Sequence, residues 1–330
     1  MDFDLTDEQK QIKEVARELL SARSPFSKVR EAADRGEYDP SLWAELVELG
    51  WPGIAVGSEH GGQGLGAVGL AVLLEELGYA CAATPFFSTA TAAAVIEAAG
   101  NREQRERWLG QLASGELSAG VGTRELAADA DDAAVIVLLD GDEAALLDRA
   151  DADVEPFVSI DPTRRFATVA GDGEPLATGA ADRVRAALAA EIVGVCQRAL
   201  ELTLEYVKDR KQFGVPVGAF QAVSHRCAQM LLHTESGRSA AYFAAWAADA
   251  DAERLAEAAA LAAAATADGG REVTASAIQA HGGIGFTWEA DVHWLYKRAQ
   301  IDAALLGGAS RHRRRIASLL ADRVGASAAA

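Results

Sequence analysis

Positive charge is in short supply in this chain: 31 lysines and arginines face 49 aspartates and glutamates, a net charge of −18. So acidic a surface is repelled by phosphate backbones and anionic headgroups, which excludes nucleic acid and membrane as expected partners. Cysteine is scarcer still. Cys81, Cys196 and Cys227 are odd in number, widely spaced and set in helical patterns, so they build no disulfide framework and read as reduced thiols of a cytoplasmic protein. The N-terminus carries Asp2, Asp4, Asp7 and Glu8 in place of a basic segment and an apolar core, so no secretory signal is expected. Long apolar runs are missing too. The most apolar stretch, 258–265, is short and mostly alanine, well below the roughly twenty residues of a spanning helix, and reads as part of a packed core helix.

What the chain has is bulk: 330 residues, 50% of them hydrophobic, enough for a substantial core shared among two or three units. Helical apolar spacing at 5–22, 41–50, 66–80 and 88–99, punctuated by Gly- and Pro-containing turns, predicts an N-terminal helical domain over 1–116. The pattern then changes. The run 135–139 (VIVLL) predicts a buried strand and 157–160 and 166–169 shorter ones, with aspartates and glycines between them, so 117–180 is expected to be a small, shortened β domain. From Asp182 the helical period returns, with Val184, Leu188, Ile192, Val195, Ala199, Leu202 and Tyr206 on one stripe. Further helices are expected at about 219–250, 252–280 and 290–322, the last broken at Gly307-Gly308. The fold class is therefore mainly α with a small β domain, 181–330 forming a C-terminal four-helix bundle. The basic run 311–315 lies in a helical pattern with Ile316, Leu319 and Leu320 and reads as a solvated face, with anion binding as the alternative.

Two glycine-punctuated segments stand out, 210–214 (RKQFG) and 279–289 (QAHGGIGFTWE). In the first, a planar cation, Arg210, and an aromatic ring, Phe213, close a helix just before Gly214 and Pro216, a pairing suited to a pyrophosphate and an aromatic heterocycle. In the second, Gly282, Gly283 and Gly285 permit positive φ and close approach of a ligand or backbone. Both also suit ordinary helix C-caps. In this order, with Phe220-Gln221 following the first, they resemble the acyl-CoA dehydrogenase family, whose C-terminal domain carries R-x-x-F-G, F-Q and Q-x-x-G-G-x-G. Residues 1–20, 49–66 and 72–86 resemble its N-terminal helical domain, so the likeness covers about 1–120 and 181–320. It implies FAD as cofactor and an acyl-CoA thioester as substrate. By resemblance Arg210 and Phe213, with Gln212 in the same turn, contact pyrophosphate and adenine, Gln279, Gly282 and Gly283 the adenosine end, and Gln221 shapes that interface. In the family these contacts reach across to a neighbouring subunit's FAD.

The family's reaction needs a carboxylate to take the α-proton while the flavin accepts the β-hydride. Registered on the family, Leu306 stands where that glutamate is expected, and Val184 occupies the second position used by some relatives. No catalytic base is therefore assigned; Asp302 and Glu191 are the candidates for a displaced one, or are solvated or paired carboxylates. The middle unit departs as well: 122–128 (GTRELAA) replaces the flavin-facing loop that ends in Gly-Ser-Asp, and no tryptophan lies between 109 and 245. A chain that keeps contacts to a neighbour's FAD while losing its own resembles the non-catalytic partner of heteromeric acyl-CoA dehydrogenases, a type associated with actinobacterial steroid side-chain breakdown. The expected assembly is then an α2β2 heterotetramer with a catalytic acyl-CoA dehydrogenase subunit, an electron-transfer flavoprotein being a compatible acceptor. A self-sufficient homo-oligomeric enzyme with a relocated base and a scaffold without FAD are the alternatives. His281, Trp288 and His293 are similar to an actinobacterial branch of the family, and equally suit capping, packing or interface roles.

Overall fold

The computed structural model describes the backbone of residues 4–329 and the side chains of residues 4–324. The N-terminal helices are α1 (Asp7–Arg23), α2 (Phe26–Arg35), α3 (Pro40–Glu48), α4 (Gly66–Ala80), α5 (Phe86–Ala99) and α6 (Arg102–Ala113). Thr6 and Gln9 exchange side chain-to-backbone bonds at the start of α1, with Asp7 and Glu8 in its first turn, which satisfies orphan amides and complements the helix dipole. Apolar spacing missed α2 and α6. The beginning of α6 is nonetheless written in the chain, because Asn101 and Gln104 form the same reciprocal box.

The middle unit is one seven-stranded sheet of β1 (Ala119–Gly122), β2 (Ala127–Ala128), β3 (Val135–Asp140), β4 (Glu143–Asp148), β5 (Asp153–Phe157), β6 (Phe166–Ala170) and β7 (Glu174–Pro175), ordered β5-β6-β2-β1-β3-β4-β7. Its one parallel pair is β1 with β3. The strand expected at 157–160 instead ends at Phe157, and the following loop turns inward. Strand β4 (EAALLD) carries little β-branched character; the signal for it was the two-residue turn Gly141-Asp142 between the paired Asp140 and Glu143, where Gly141 takes φ 64°.

The C-terminal part has three 30-residue helices, α7 (Ala180–Asp209), α8 (Gln221–Ala250) and α9 (Ala252–His281), then α10 (Val292–Leu305) and α11 (Ala309–Ala329). Gly307 and Gly308, at φ 81° and 76°, divide the last two, which together make a broken fourth member of the bundle. α4 crosses α7 at Gly78 and Gly194; a Cβ on either would strike the carbonyl of Glu191 or Glu75 on the facing helix. Asp249 of α8 caps α4 by accepting from the amides of Ala67 and Val68 at 2.7 and 3.0 Å. The β3–β4 turn is tied to the bundle through Asp142, 3.0 Å from Arg185 and 3.1 Å from Arg315.

The basic run is not a uniformly solvated face. Helix pitch leaves Arg311, Arg313 and Arg314 exposed, buries His312 with Nε2 2.6 Å from the Leu306 carbonyl, and half-buries Arg315 against Asp182 at 2.9 Å. Among the described residues no helix is long and apolar enough to cross a membrane, and no group of His, Cys, Asp and Glu is arranged to hold a metal.

Candidate functional site

The two glycine-punctuated segments meet at one end of the bundle. α7 and α9 finish side by side, with the Tyr206 ring stacked on His281 at 4.4 Å between centroids. Arg210 leaves α7 in an extended conformation, and its carbonyl accepts from Val217 at 2.7 Å. Lys211 and Gln212 (β8) pair with Val215 and Pro216 (β9) around a two-residue turn of Phe213 and Gly214, at φ 52° and 84°. Turns with both central residues at positive φ favour Asn-Gly; a phenylalanine held there costs about 1 kcal/mol or more. Phe213 is also 94% exposed, touching Phe220 edge-on at 6.2 Å. The chain therefore holds a strained apolar ring in solvent.

The rest of this rim is also open. Arg210 is exposed and has no ion-pair partner among the described residues. Gln212 is exposed, its amide donating only to the neighbouring Lys211 carbonyl at 2.8 Å. Gln221, at the start of α8, and Gln279, in the last turn of α9, are exposed as well. A Cβ at Gly282 or Gly283 would meet nothing within 4 Å, whereas one at Gly285 would strike the Ile278 carbonyl. A C-cap role therefore explains Gly282, at φ 65°, and packing explains Gly285. Neither explains Gly283, which leaves backbone bare to the outside. An unpaired guanidinium, an exposed ring and an open glycine backbone fit the pyrophosphate and adenine end of FAD.

The candidate carboxylates lie elsewhere, in the joint between sheet and bundle. The loop between β5 and β6 carries Asp161, Thr163 and Arg164 into the interior, all 4% exposed or less. Arg164 reaches Glu191 at 2.5 Å and Asp302 at 3.0 Å. Arg298 reaches Asp161 at 2.6 Å, Glu191 at 2.8 Å and the Thr163 hydroxyl at 2.5 Å. Three carboxyls thus share two guanidiniums. Burial, reinforced by the nearby Glu191 and opposed by Arg164 and Arg298, raises the Asp302 pKa well above the usual carboxylate range, so Asp302 is the member pushed furthest toward its protonated form. The oxygens Glu191 Oε2 and Asp302 Oδ2 have no hydrogen-bond partner. Cys81, 3.9 Å from the Thr163 hydroxyl, has its thiol pushed up to about 12 by burial.

Val184 and Leu306 are both buried in the main apolar core. Leu306 sits at the end of α10, its carbonyl held by His312. Sequence reasoning singled out Glu191 and Asp302 but missed Asp161, Arg164 and Arg298, whose partnership no periodicity announces. His281 is a packing residue: Nδ1 lies 2.7 Å from the Ala277 carbonyl and burial lowers its pKa. Trp288 is 66% exposed. An alanine-lined cavity between α4, α5, α7 and α8 has a volume of about 190 Å³, below the roughly 300–1,000 Å³ of typical ligand pockets.

Helical domains flanking a sheet, with this rim at the bundle's end, define a class that comparison identifies. Residues 6–116 match the acyl-CoA dehydrogenase N-terminal domain and 171–321 the acyl-CoA dehydrogenase C-terminal domain. The chain belongs to the acyl-CoA dehydrogenase family. It is 34% identical over 322 residues to acyl-CoA dehydrogenase IpdE2 of Mycolicibacterium smegmatis, covering 94% of this chain and 98% of that protein. A variant of the Tcur3481–Tcur3483 steroid acyl-CoA dehydrogenase superposes with TM-score 0.86 at 27% identity, over 97% of this chain and 99% of the other. The ChsE4–ChsE5 complex of Mycobacterium tuberculosis shares the fold, with TM-score 0.86 at 23% identity over 97% and 99% of the two chains. FAD is the cofactor of the family, and a solved FAD complex of PigA shares the fold.

Proposed function

We propose that this chain is the partner subunit that completes the FAD site of a catalytic acyl-CoA dehydrogenase chain, in an α2β2 assembly that dehydrogenates an acyl-CoA thioester at its α,β bond. The observation that carries this reading is the division of labour in the chain. Its unpaired cation, bare ring and open glycine backbone are offered outward at the rim, while its carboxyls are buried and paired at the joint. Arg210 presents a donor fork to the pyrophosphate, Phe213 a face to the adenine, and Gln279, Gly282 and Gly283 polar and backbone groups to the adenosine. Gln212 and Gln221 shape the edges of that surface. When bound, FAD supplies the hydride acceptor.

This chain supplies no base. Leu306 and Val184 are aliphatic, Asp302 is buried, paired with Arg164 and has its pKa raised by burial, and Glu191 is held between two guanidiniums. The division into 1–116, 117–180 and 181–330 belongs to the same reading: the outer helical parts keep the family's shape and the middle sheet is shortened. A bulky acyl group is the proposed substrate class, in keeping with the steroid acyl-CoA dehydrogenase that the chain resembles at 27% identity. Surface chemistry agrees with a missing subunit: Phe213, Phe286 and Trp288 are 94%, 76% and 66% exposed, and Leu231 and Leu232 on α8 are 50% and 57% exposed. Exposed apolar groups of this size mark subunit contacts.

The test is to purify the chain alone and co-expressed with candidate catalytic subunits, measuring mass and flavin content. Colourless protein alone and a yellow heteromer on co-expression are expected. A yellow homomer whose flavin bleaches with acyl-CoA would establish the self-sufficient enzyme, and the absence of flavin under both conditions would leave a scaffold.

A further inference from the structure

At the start of α10 the chain leaves a second group of side chains unfinished. The His293 ring lies 4.3 Å from that of Trp294 and 4.9 Å from that of Trp288. Lys297 Nζ lies 4.2 Å from the Trp288 ring and 4.8 Å from the Trp294 ring. His293 and Trp294 are only 9% and 2% exposed, yet His293 Nδ1, His293 Nε2 and Trp294 Nε1 all lack a hydrogen-bond partner. Buried polar atoms are nearly always satisfied, so three orphans within one ring cluster call for an explanation. Lys297 has no carboxylate within ion-pair distance among the described residues. Arg30 of α2 stands nearby on Asp291 at 3.1 Å, its own Nε also unpartnered.

The inventory is one-sided. An indole N–H and an ammonium can only donate, while a neutral imidazole donates through one nitrogen and accepts through the other, so three of the four unpartnered groups are donors. Burial, with Lys297 and Arg30 close by, lowers the His293 pKa to about 4 and keeps the ring neutral. Asp291 is held by Arg30 and Asp161, which also faces Lys297, is held by Arg298, so the Lys297 ammonium is left without an ion-pair partner among the described residues. What is missing is an acceptor bearing negative charge. We propose that Trp294, Lys297 and His293 form a binding site for an oxyanion, a carboxylate or phosphate group that accepts from the indole and the ammonium and lies against the imidazole. Trp288, largely exposed beside Lys297, forms its outer wall. The site rests on this cluster alone and does not depend on the reading of the FAD rim.

The test uses the full chain, alone and in complex with its catalytic partner, titrated with inorganic pyrophosphate and separately with succinate. Sodium chloride at equal ionic strength is the control, and the His293 ring resonances, assigned through His293→Phe, are the readout. In the chain alone a saturable shift is expected, with the His293 titration moving upward as the anion offsets Lys297 and Arg30; Asp291 and Asp161 face the same region and stay constant between samples. Lys297→Met, which keeps the apolar stem, should weaken binding roughly ten-fold or more, since it removes a charge-assisted contact. Trp294→Phe, which removes only the N–H and part of the ring, should weaken it less. Thermal midpoints of both variants report that they fold. Binding that survives in the complex assigns the site to a free small molecule; binding seen alone and blocked in the complex assigns the anion to a carboxylate of the partner. No saturable shift beyond the salt control, or unchanged affinity in both variants, overturns the proposal.

Discussion

The joint and the rim are both rich in groups that do chemistry, and they use them in opposite ways. At the joint, Asp161, Arg164, Glu191, Arg298 and Asp302 are buried and close on one another. At the rim, Arg210, Phe213 and Gly283 are exposed: Arg210 has no ion-pair partner among the described residues, Phe213 meets only the edge of Phe220, and a Cβ at Gly283 would meet nothing within 4 Å. The desolvation cost of a buried ion network is offset only when every charge is paired, so such a network ties elements together and resists change. A strained, exposed turn contributes no stability of its own, and its geometry is accounted for by no packing within the subunit. In this family member the carboxylates singled out in the sequence, Glu191 and Asp302, are buried and ion-paired, and the segments that look like helix caps face outward.

The largest effect expected on that contrast comes from the joint. Arg298→Leu strands Asp161 without its cation and leaves Glu191 to Arg164 alone, and breaking a buried pair from one side costs about 3–5 kcal/mol. Urea unfolding should show it; a loss below about 1 kcal/mol would mean that water reaches the joint. At the rim, Arg210→Ala should leave unfolding within about 0.5 kcal/mol of the parent. In the assembled complex it should weaken FAD by about 1.5–3 kcal/mol, roughly ten- to a hundred-fold. Lysine should rescue only part of this, and unchanged flavin affinity would reduce Arg210 to a helix end.

A smaller effect separates a structural Asp302 from a catalytic one. Its pKa is raised in the folded state, so its contribution to stability is present below the unfolded value of about 3.9 and is lost as pH rises toward the folded value. Asp302→Asn should therefore gain stability relative to the parent as pH climbs from about 4 toward neutrality, with the activity of the complex unchanged. A parent and variant with the same pH slope would show Asp302 ionised. The smallest effect is expected from Phe213→Asn. Asparagine tolerates positive φ, so the chain should gain a few tenths to about 1 kcal/mol while the complex retains FAD less well. A loss of stability in the free chain would show that Phe213 packs within its own subunit.

The rim was legible in the sequence because it is local. Arg210, Phe213 and Gly214 sit within one turn, Gln279, Gly282 and Gly283 within another, and a helix end followed by glycine leaves its mark on neighbouring positions. The long helices were legible for the same reason: the stripe from Val184 to Tyr206 repeats at the helical period. Strand β4 and helix α6 were missed where apolar spacing was the guide, although the Gly141-Asp142 turn and an Asn-Gln capping pair announced them.

By itself, then, the sequence determined the mainly helical architecture with a sheet in the middle, the two exposed turns and the aliphatic residues at 184 and 306. Tertiary structure alone decided that Arg164 meets Asp302 across 138 residues and that Arg298 meets Glu191 across 107. It alone decided that the pitch of α11 turns Arg315 inward while leaving Arg313 outside. Spacing along a chain records which face of a helix is apolar. It does not record which charge on one buried face will find its partner on another, because that pairing depends on the approach of elements distant in sequence and on the exclusion of water between them.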